Sequence, residues 1–193
     1  MSVFLAVDLD APARASASAI IETHRANAPH AKWLRTDKLH VTVVFLGNPK
    51  PDQVAQWIPL IDSLGERHQP FSLRLHGAGT FLTARAPSVL WLGVQGELEK
   101  LTALHEDALV AFGEPLSPAL SLLRREREQK FIPHVTLARS QKDGHFEELA
   151  KELATFSTPD FEVCGLSLYE SSNHVYRVIH HAPLRLLKAD AHR

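Results

Sequence analysis

The tetrapeptide His-Val-Thr plus an apolar residue occurs twice in this chain of 193 residues, as His40–Val43 and as His134–Leu137. The two copies lie 94 positions apart, close to half the chain, and their surroundings match as well. A repeat of that length restricts the chain to architectures in which each half builds one similar unit.

Each half reads as strand, helix, His-x-Thr strand, helix, strand. The first opens on the apolar run Val3–Val7, followed by a helical stretch from Pro12 to about Arg25. The second opens on Val89–Val94, followed by a helix with Leu98, Leu101, Leu104, Ala108, Leu109 and Phe112 on one stripe and Gly113 as a stop. Beyond the first motif, Pro51 starts a helix over Val54, Trp57, Ile58, Ile61 and Leu64, which Pro59 should kink or tighten and Gly65 closes. Beyond the second, Phe146, Leu149, Leu153 and Phe156 have helical spacing. Similar strand frames follow at Pro70–Gly77 and Asp160–Gly165, and a last strand runs from Val175 to about Leu186. Aligning Phe4 with Leu90 leaves about eight extra residues before the second motif, placed around Arg124–Lys130. The expectation is an α+β fold in one domain over residues 1–193. Two pseudo-symmetric lobes, each an antiparallel sheet flanked by helices, face each other across a central cleft.

Residues i and i+2 of a strand share a face. His40 and Thr42 therefore point one way while Val41 and Val43 pack beneath, and His134 and Thr136 do the same over Val135 and Leu137. A pseudo-twofold axis can bring both polar faces together with Arg139 nearby. Two imidazoles suit acid–base catalysis near neutral pH, one neutral and one protonated. Thr hydroxyls and a guanidinium suit the non-bridging oxygens of a phosphate. That combination fits in-line phosphodiester cleavage without a metal, with a strained cyclic phosphate as a favourable substrate.

Charge supports an anionic ligand. The chain has 21 Lys and Arg against 22 Asp and Glu. Yet residues 25–50 hold five basic side chains (Arg25, Lys32, Arg35, Lys38, Lys50) and one acid, Asp37. Residues 124–142 hold six (Arg124, Arg125, Arg127, Lys130, Arg139, Lys142) against Glu126 and Glu128. Two basic islands in an otherwise acidic chain suggest a local anion site rather than coating of duplex DNA.

Other chemistries find little support. The single cysteine, Cys164, leaves no disulfide framework or thiolate zinc site. His105-Glu106 lacks a second His at helical spacing, and no phosphate-cradling glycine loop occurs. No nucleophile elbow supports a Ser-His-Asp arrangement. The apolar stretches are too short to span a bilayer, and Val3–Val7 reads as a first strand rather than a signal peptide. The expected protein is soluble and cytoplasmic, with no cofactor, no metal and no membrane association. The remaining histidines show no repeat partner; of these, His76 and His174 are secondary cleft candidates.

The paired tetrapeptides resemble the two H-x-T/S-x motifs of the 2H phosphoesterase superfamily, and within it the bacterial RNA 2′,3′-cyclic phosphodiesterases, or 2′-5′ RNA ligase family. The resemblance extends over Phe4–Leu9, Trp33-Leu34-Arg35, Leu39–Gly47, Phe131–Arg139, Leu168–Ser171 and Tyr176. It implies that His40 protonates the 3′-oxygen leaving group and His134 activates water, leaving a 2′-phosphate end. Thr42, Thr136 and Arg139 would bind the phosphate. Phe45, at the place corresponding to Arg139, would support a base or pack. The charged run Arg124, Arg125, Arg127 and Lys130 departs from the family pattern; from its place just before the strand of His134 it is expected to border the cleft and attract upstream RNA phosphates.

The implied partner is RNA with a 2′,3′-cyclic phosphate end, with no obligate protein partner and a monomeric state. Joining ends through a 2′-5′ linkage would be a minor reverse reaction, since water at ~55 M competes with any RNA hydroxyl. The alternatives are a non-catalytic RNA-end binding module, or a phosphodiesterase for a small cyclic nucleotide or cyclic ADP-ribose phosphate. Retention of imidazole, where binding alone would favour Arg or Lys, argues against the first.

Overall fold

The computed structural model describes residues 1–81, 89–113, 131–140, 146–172 and 175–186. Strand β1 (Ser2–Asp8) leads into helix α1 (Ala11–His24), whose first turn is capped by Asp10, its carboxylate accepting from the Ala13 amide at 2.8 Å. The short β2 (Lys32–Trp33), the motif strand β3 (His40–Gly47), helix α2 (Pro51–Arg67) and the long β4 (Phe71–Phe81) complete the first half. The second half holds β5 (Val89–Gly96), α3 (Leu98–Gly113), the motif strand β6 (His134–Arg139) and α4 (Glu147–Glu152). Strands β7 (Phe161–Val163), β8 (Gly165–Ser172) and β9 (Val175–Pro183) follow.

These strands form two antiparallel sheets, ordered β3-β1-β8-β9 and β2-β6-β5-β4-β7. The expected two-lobe α+β architecture is thus present, with one feature added. The halves exchange strands: β8 of the second half pairs with β1, and β4 of the first half pairs with β5. The frames at Phe71 and Phe161, read as equivalent strands of separate lobes, instead pair with each other, Phe71 opposite Val163 and Leu73 opposite Phe161. The core between sheets and helices is built from the apolar faces of these strands, with Val41, Val43, Val135 and Leu137 at most 1% exposed.

Two helical expectations need correction. Helix α2 runs on through Gly65 to Arg67. Gly65 is there for close packing, since a Cβ would stand 2.5 Å from the Pro183 carbonyl oxygen. Pro59 lies inside this helix. It lies on the exposed side, where solvent can reach the carbonyl that its missing N–H leaves unpaired. The Phe146–Phe156 helix shortens to α4 plus a 3-10 turn at Leu153–Thr155, after which Thr158 bonds back to Leu75 of β4.

Candidate active site

The motif strands sit at corresponding places. His40 lies opposite Asp8 in the β3–β1 pair, and His134 opposite Gly93 in the β6–β5 pair. This register offsets the halves by one residue from the Phe4–Leu90 alignment. Both strands then carry a bulge directly after the motif threonine. Across from β3 the register jumps between Ala6, opposite Thr42, and Leu5, opposite Val44, leaving Val43 unpaired. Across from β6 it jumps between Trp91, opposite Thr136, and Leu90, opposite Ala138, leaving Leu137 unpaired. A bulge re-aims the residues beyond it. Strict alternation would send Phe45 and Arg139 away from the cleft, and the bulges return both to it.

One cavity of about 150 Å³ results, lined by His40, Thr42 and Phe45 from one strand and His134, Thr136 and Arg139 from the other. All six residues that the sequence placed at the site in the described part of the chain meet there. Arg124, Arg125, Arg127 and Lys130, and His174, lie outside the described residues. His76 does not line the cavity; it forms an isolated bridge with Ser157.

The two imidazoles are held alike. His40 Nδ1 donates to the Lys38 carbonyl at 2.7 Å, and His134 Nδ1 donates to the Ile132 carbonyl at 2.8 Å. In each case the acceptor is the carbonyl two residues upstream. A carbonyl can only accept, so Nδ1 keeps its hydrogen and Nε2 is the nitrogen that titrates. His40 Nε2 lies 3.1 Å from Thr42 Oγ1. Aromatic rings fix the planes: Phe4 stacks on His40 with centroids 4.7 Å apart, and Phe81 meets His134 edge-on at 4.9 Å.

Burial is the main influence on both rings. It lowers His40 to about 4, opposed by the Lys38 carbonyl and by Asp8. His134 is also lowered, chiefly by burial and further by Arg139. Both shifts favour the neutral imidazole. A negative charge placed beside them would favour a proton on either.

Several residues that carry no motif also reach the cavity, among them Lys38 and Tyr176. The Lys38 ammonium sits 5.0 Å from the Tyr176 ring centre, and Tyr176 meets His40 edge-on. Lys38 could have been found from its place two residues before the motif. Tyr176 carried only the family resemblance and no local signal of a place at the cavity, because the β8–β9 hairpin that brings it there pairs with β1 across most of the sequence. Among the described residues, no cluster of three His, Cys, Asp or Glu side chains could hold a metal ion, and no helix is long and apolar enough to cross a membrane.

Known proteins resemble this chain in sequence and in fold. The 2′-5′ RNA ligase superfamily matches residues 11–175. The chain belongs to that superfamily. An RNA 2′,3′-cyclic phosphodiesterase of Geobacillus stearothermophilus is 31% identical over 170 residues, spanning 88% of this chain and 52% of that protein. This superfamily member therefore covers about half the length of the Geobacillus relative. It covers 94% of the Thermotoga maritima RNA 2′,3′-cyclic phosphodiesterase, at 26% identity over 185 residues and 93% of its own length. Among solved structures, TT0787 of Thermus thermophilus matches with a TM-score of 0.75 at 26% identity, covering 96% of this chain and 98% of that one. E. coli LigT complexed with ATP shares the fold, with a TM-score of 0.62 at 22% identity and the same coverage of both chains.

Proposed function

We propose that this superfamily member hydrolyses a 2′,3′-cyclic phosphate at an RNA end to a 2′-phosphate, using its two motif histidines as acid and base. The observation that carries the reading is the matched anchoring of His40 and His134, each presenting a titrating Nε2 to one cavity that also holds two threonines and an arginine. Relatives named for this activity support it.

Thr42, Thr136 and Arg139 grip the non-bridging oxygens, placing phosphorus between the two rings. His134 Nε2 takes a proton from water as its oxygen attacks phosphorus. The bond from phosphorus to the 3′-oxygen breaks opposite, and His40 Nε2 gives that oxygen a proton. One water is consumed, and the 3′-hydroxyl and 2′-phosphate leave. The two histidines then exchange protonation states through solvent. Phe45 faces the substrate from the position that Arg139 takes in the other half, so one side of the cavity offers an aromatic face and the other a charge. We assign the chain a cytoplasmic, monomeric role acting on RNA ends.

The decisive assay uses an oligoribonucleotide ending in a 2′,3′-cyclic phosphate. Conversion to a 2′-phosphate end supports the reading. Tight binding with no conversion points to an RNA-end binding module, and conversion of cyclic ADP-ribose phosphate alone points to a small-molecule phosphodiesterase.

A further inference from the structure

The two histidines are related by the repeat, so something must decide which carries the proton. We propose that Asp8, directly across the sheet from His40 and clamped by Tyr169 and Ser167, is the positioning carboxylate that makes His40 the proton-holding imidazole. This inference rests on the two-histidine reading above.

In an antiparallel pair, directly opposed residues project to the same face. Asp8 therefore stands on the cavity side of β1, together with Phe4, which lies against His40. Its two oxygens are both engaged. The Tyr169 hydroxyl donates to Oδ1, and Ser167 Oγ donates to Oδ2 at 2.6 Å. With the Ser167 hydrogen spent on Asp8, His181 Nδ1, 3.1 Å away, donates to Ser167. His181 itself lies over Gly165, where any Cβ would meet its ring at 2.6 Å. Two donors on β8 thus hold one carboxylate of β1 in place, with His181 of β9 bonded behind one of them.

The equivalent position in the other half cannot hold a carboxylate. Gly93 stands opposite His134, and a Cβ there would come within 2.6 Å of the His76 carbonyl oxygen. His134 has Arg139 on its own strand instead, which disfavours its proton. The groups acting on His40 include Asp8 from β1, Arg14 from α1, His134 from β6, the Tyr169 ring from β8 and the Tyr176 ring from β9. Arg14 is spent on the carbonyls of Leu9, Thr36 and Leu39. Lys38 contributes its carbonyl to His40 and turns its ammonium over Tyr176. Among these charges Asp8 alone favours a proton on His40. Burial by itself would send the proton to His134, the less enclosed ring. In the free protein burial outweighs Asp8, and His40 stays lowered to about 4. Once a phosphate anion attracts a proton to the cavity, the fixed charges of opposite sign, Asp8 across from His40 and Arg139 beside His134, favour His40.

The test is a histidine-resolved NMR titration of the full chain, free and with inorganic phosphate, alongside the pH profile for a 2′,3′-cyclic mononucleotide. Asp8→Asn keeps the shape and removes the charge. It should reduce the proton affinity of His40 by roughly threefold or more and move His134 far less. The alkaline limb of kcat should fall to lower pH by the same amount, with KM nearly unchanged. Tyr169→Phe keeps the stacked ring and frees the carboxylate of one donor, so it should raise the His40 proton affinity. That second variant decides the matter alone if Asp8→Asn does not fold. An unmoved His40 titration in Asp8→Asn, a fall in Tyr169→Phe, or equal movement of both histidines would overturn the inference. A wild-type chain without hydrolytic activity would instead count against the functional reading, and the titrations would still decide the role of Asp8.

Discussion

The His105 ring lies parallel to Phe131, with centroids 4.0 Å apart and planes 6° from coincidence, while its Nδ1 donates to the Val43 carbonyl at 2.7 Å. Val43 is the unpaired residue of the β3 bulge, on a strand that has no further strand beyond it among the described residues. The corresponding unpaired residue of β6, Leu137, gives its carbonyl to the Leu34 amide at 2.8 Å. Both bulges that turn Phe45 and Arg139 toward the cavity are thus closed by an outside donor, a side chain in one lobe and a backbone amide in the other.

Replacing His105 with Leu keeps the apolar volume but leaves the Val43 carbonyl buried without its donor. An unmet buried acceptor costs about 1–3 kcal/mol. Urea unfolding should show a loss of that size with an unchanged slope. A loss below about 0.5 kcal/mol would mean that the bulge closes without His105.

Stability should depend on pH through His40. Its folded value of about 4 lies below the ordinary 6.5, so the unfolded chain binds a proton that the folded chain refuses. The contribution is fully present above pH 6.5 and is lost as pH falls toward 4. Linkage puts the loss at about 2 kcal/mol by pH 5. His40→Asn should flatten the stability profile between pH 7 and pH 5, and an unflattened profile would show that His40 titrates normally in the folded protein.

Much of this was legible in the sequence because the repeat is local. Period-2 alternation at His40-Val41-Thr42 and His134-Val135-Thr136 defines a polar face and a core face without any knowledge of the partner strands. The bulges were not legible, since a bulge is a relation between two strands, and alternation alone turns Phe45 and Arg139 from the cleft. Nor was the exchange of β4 and β8 between lobes, because nothing in Phe71–Phe81 or Gly165–Ser172 says which sheet edge each will join. Asp8 reads from sequence as the polar end of a strand. Only the register opposite His40 and the Tyr169 and Ser167 hydroxyls give it a role.

Thr42→Ala and Thr136→Ala should each lower turnover less than loss of either histidine, because each removes one of several phosphate contacts. Thr42→Ala should also disturb the His40 titration, since its Oγ1 lies within hydrogen-bond distance of the titrating Nε2, at 3.1 Å. Losses from either threonine as large as those from the histidines would contradict this division of labour.

The basic run Arg124, Arg125 and Arg127 has no counterpart in the first half, so the chemistry should not need it. Neutralising all three should raise KM for an oligonucleotide and flatten its salt dependence. A 2′,3′-cyclic mononucleotide, which lacks upstream phosphates, should be hydrolysed almost as before. Equal losses on both substrates would place the run in the pocket itself.

The two-histidine mechanism is tested most directly by turnover of a 2′,3′-cyclic phosphate RNA end in excess EDTA, with wild type, His40→Ala and His134→Ala side by side. The wild type should keep its activity and yield a 2′-phosphate, and each variant should fall by about 10²–10⁴-fold while remaining folded. Loss of wild-type activity in chelator with recovery on added metal, or a folded variant within about tenfold of wild type, would contradict it.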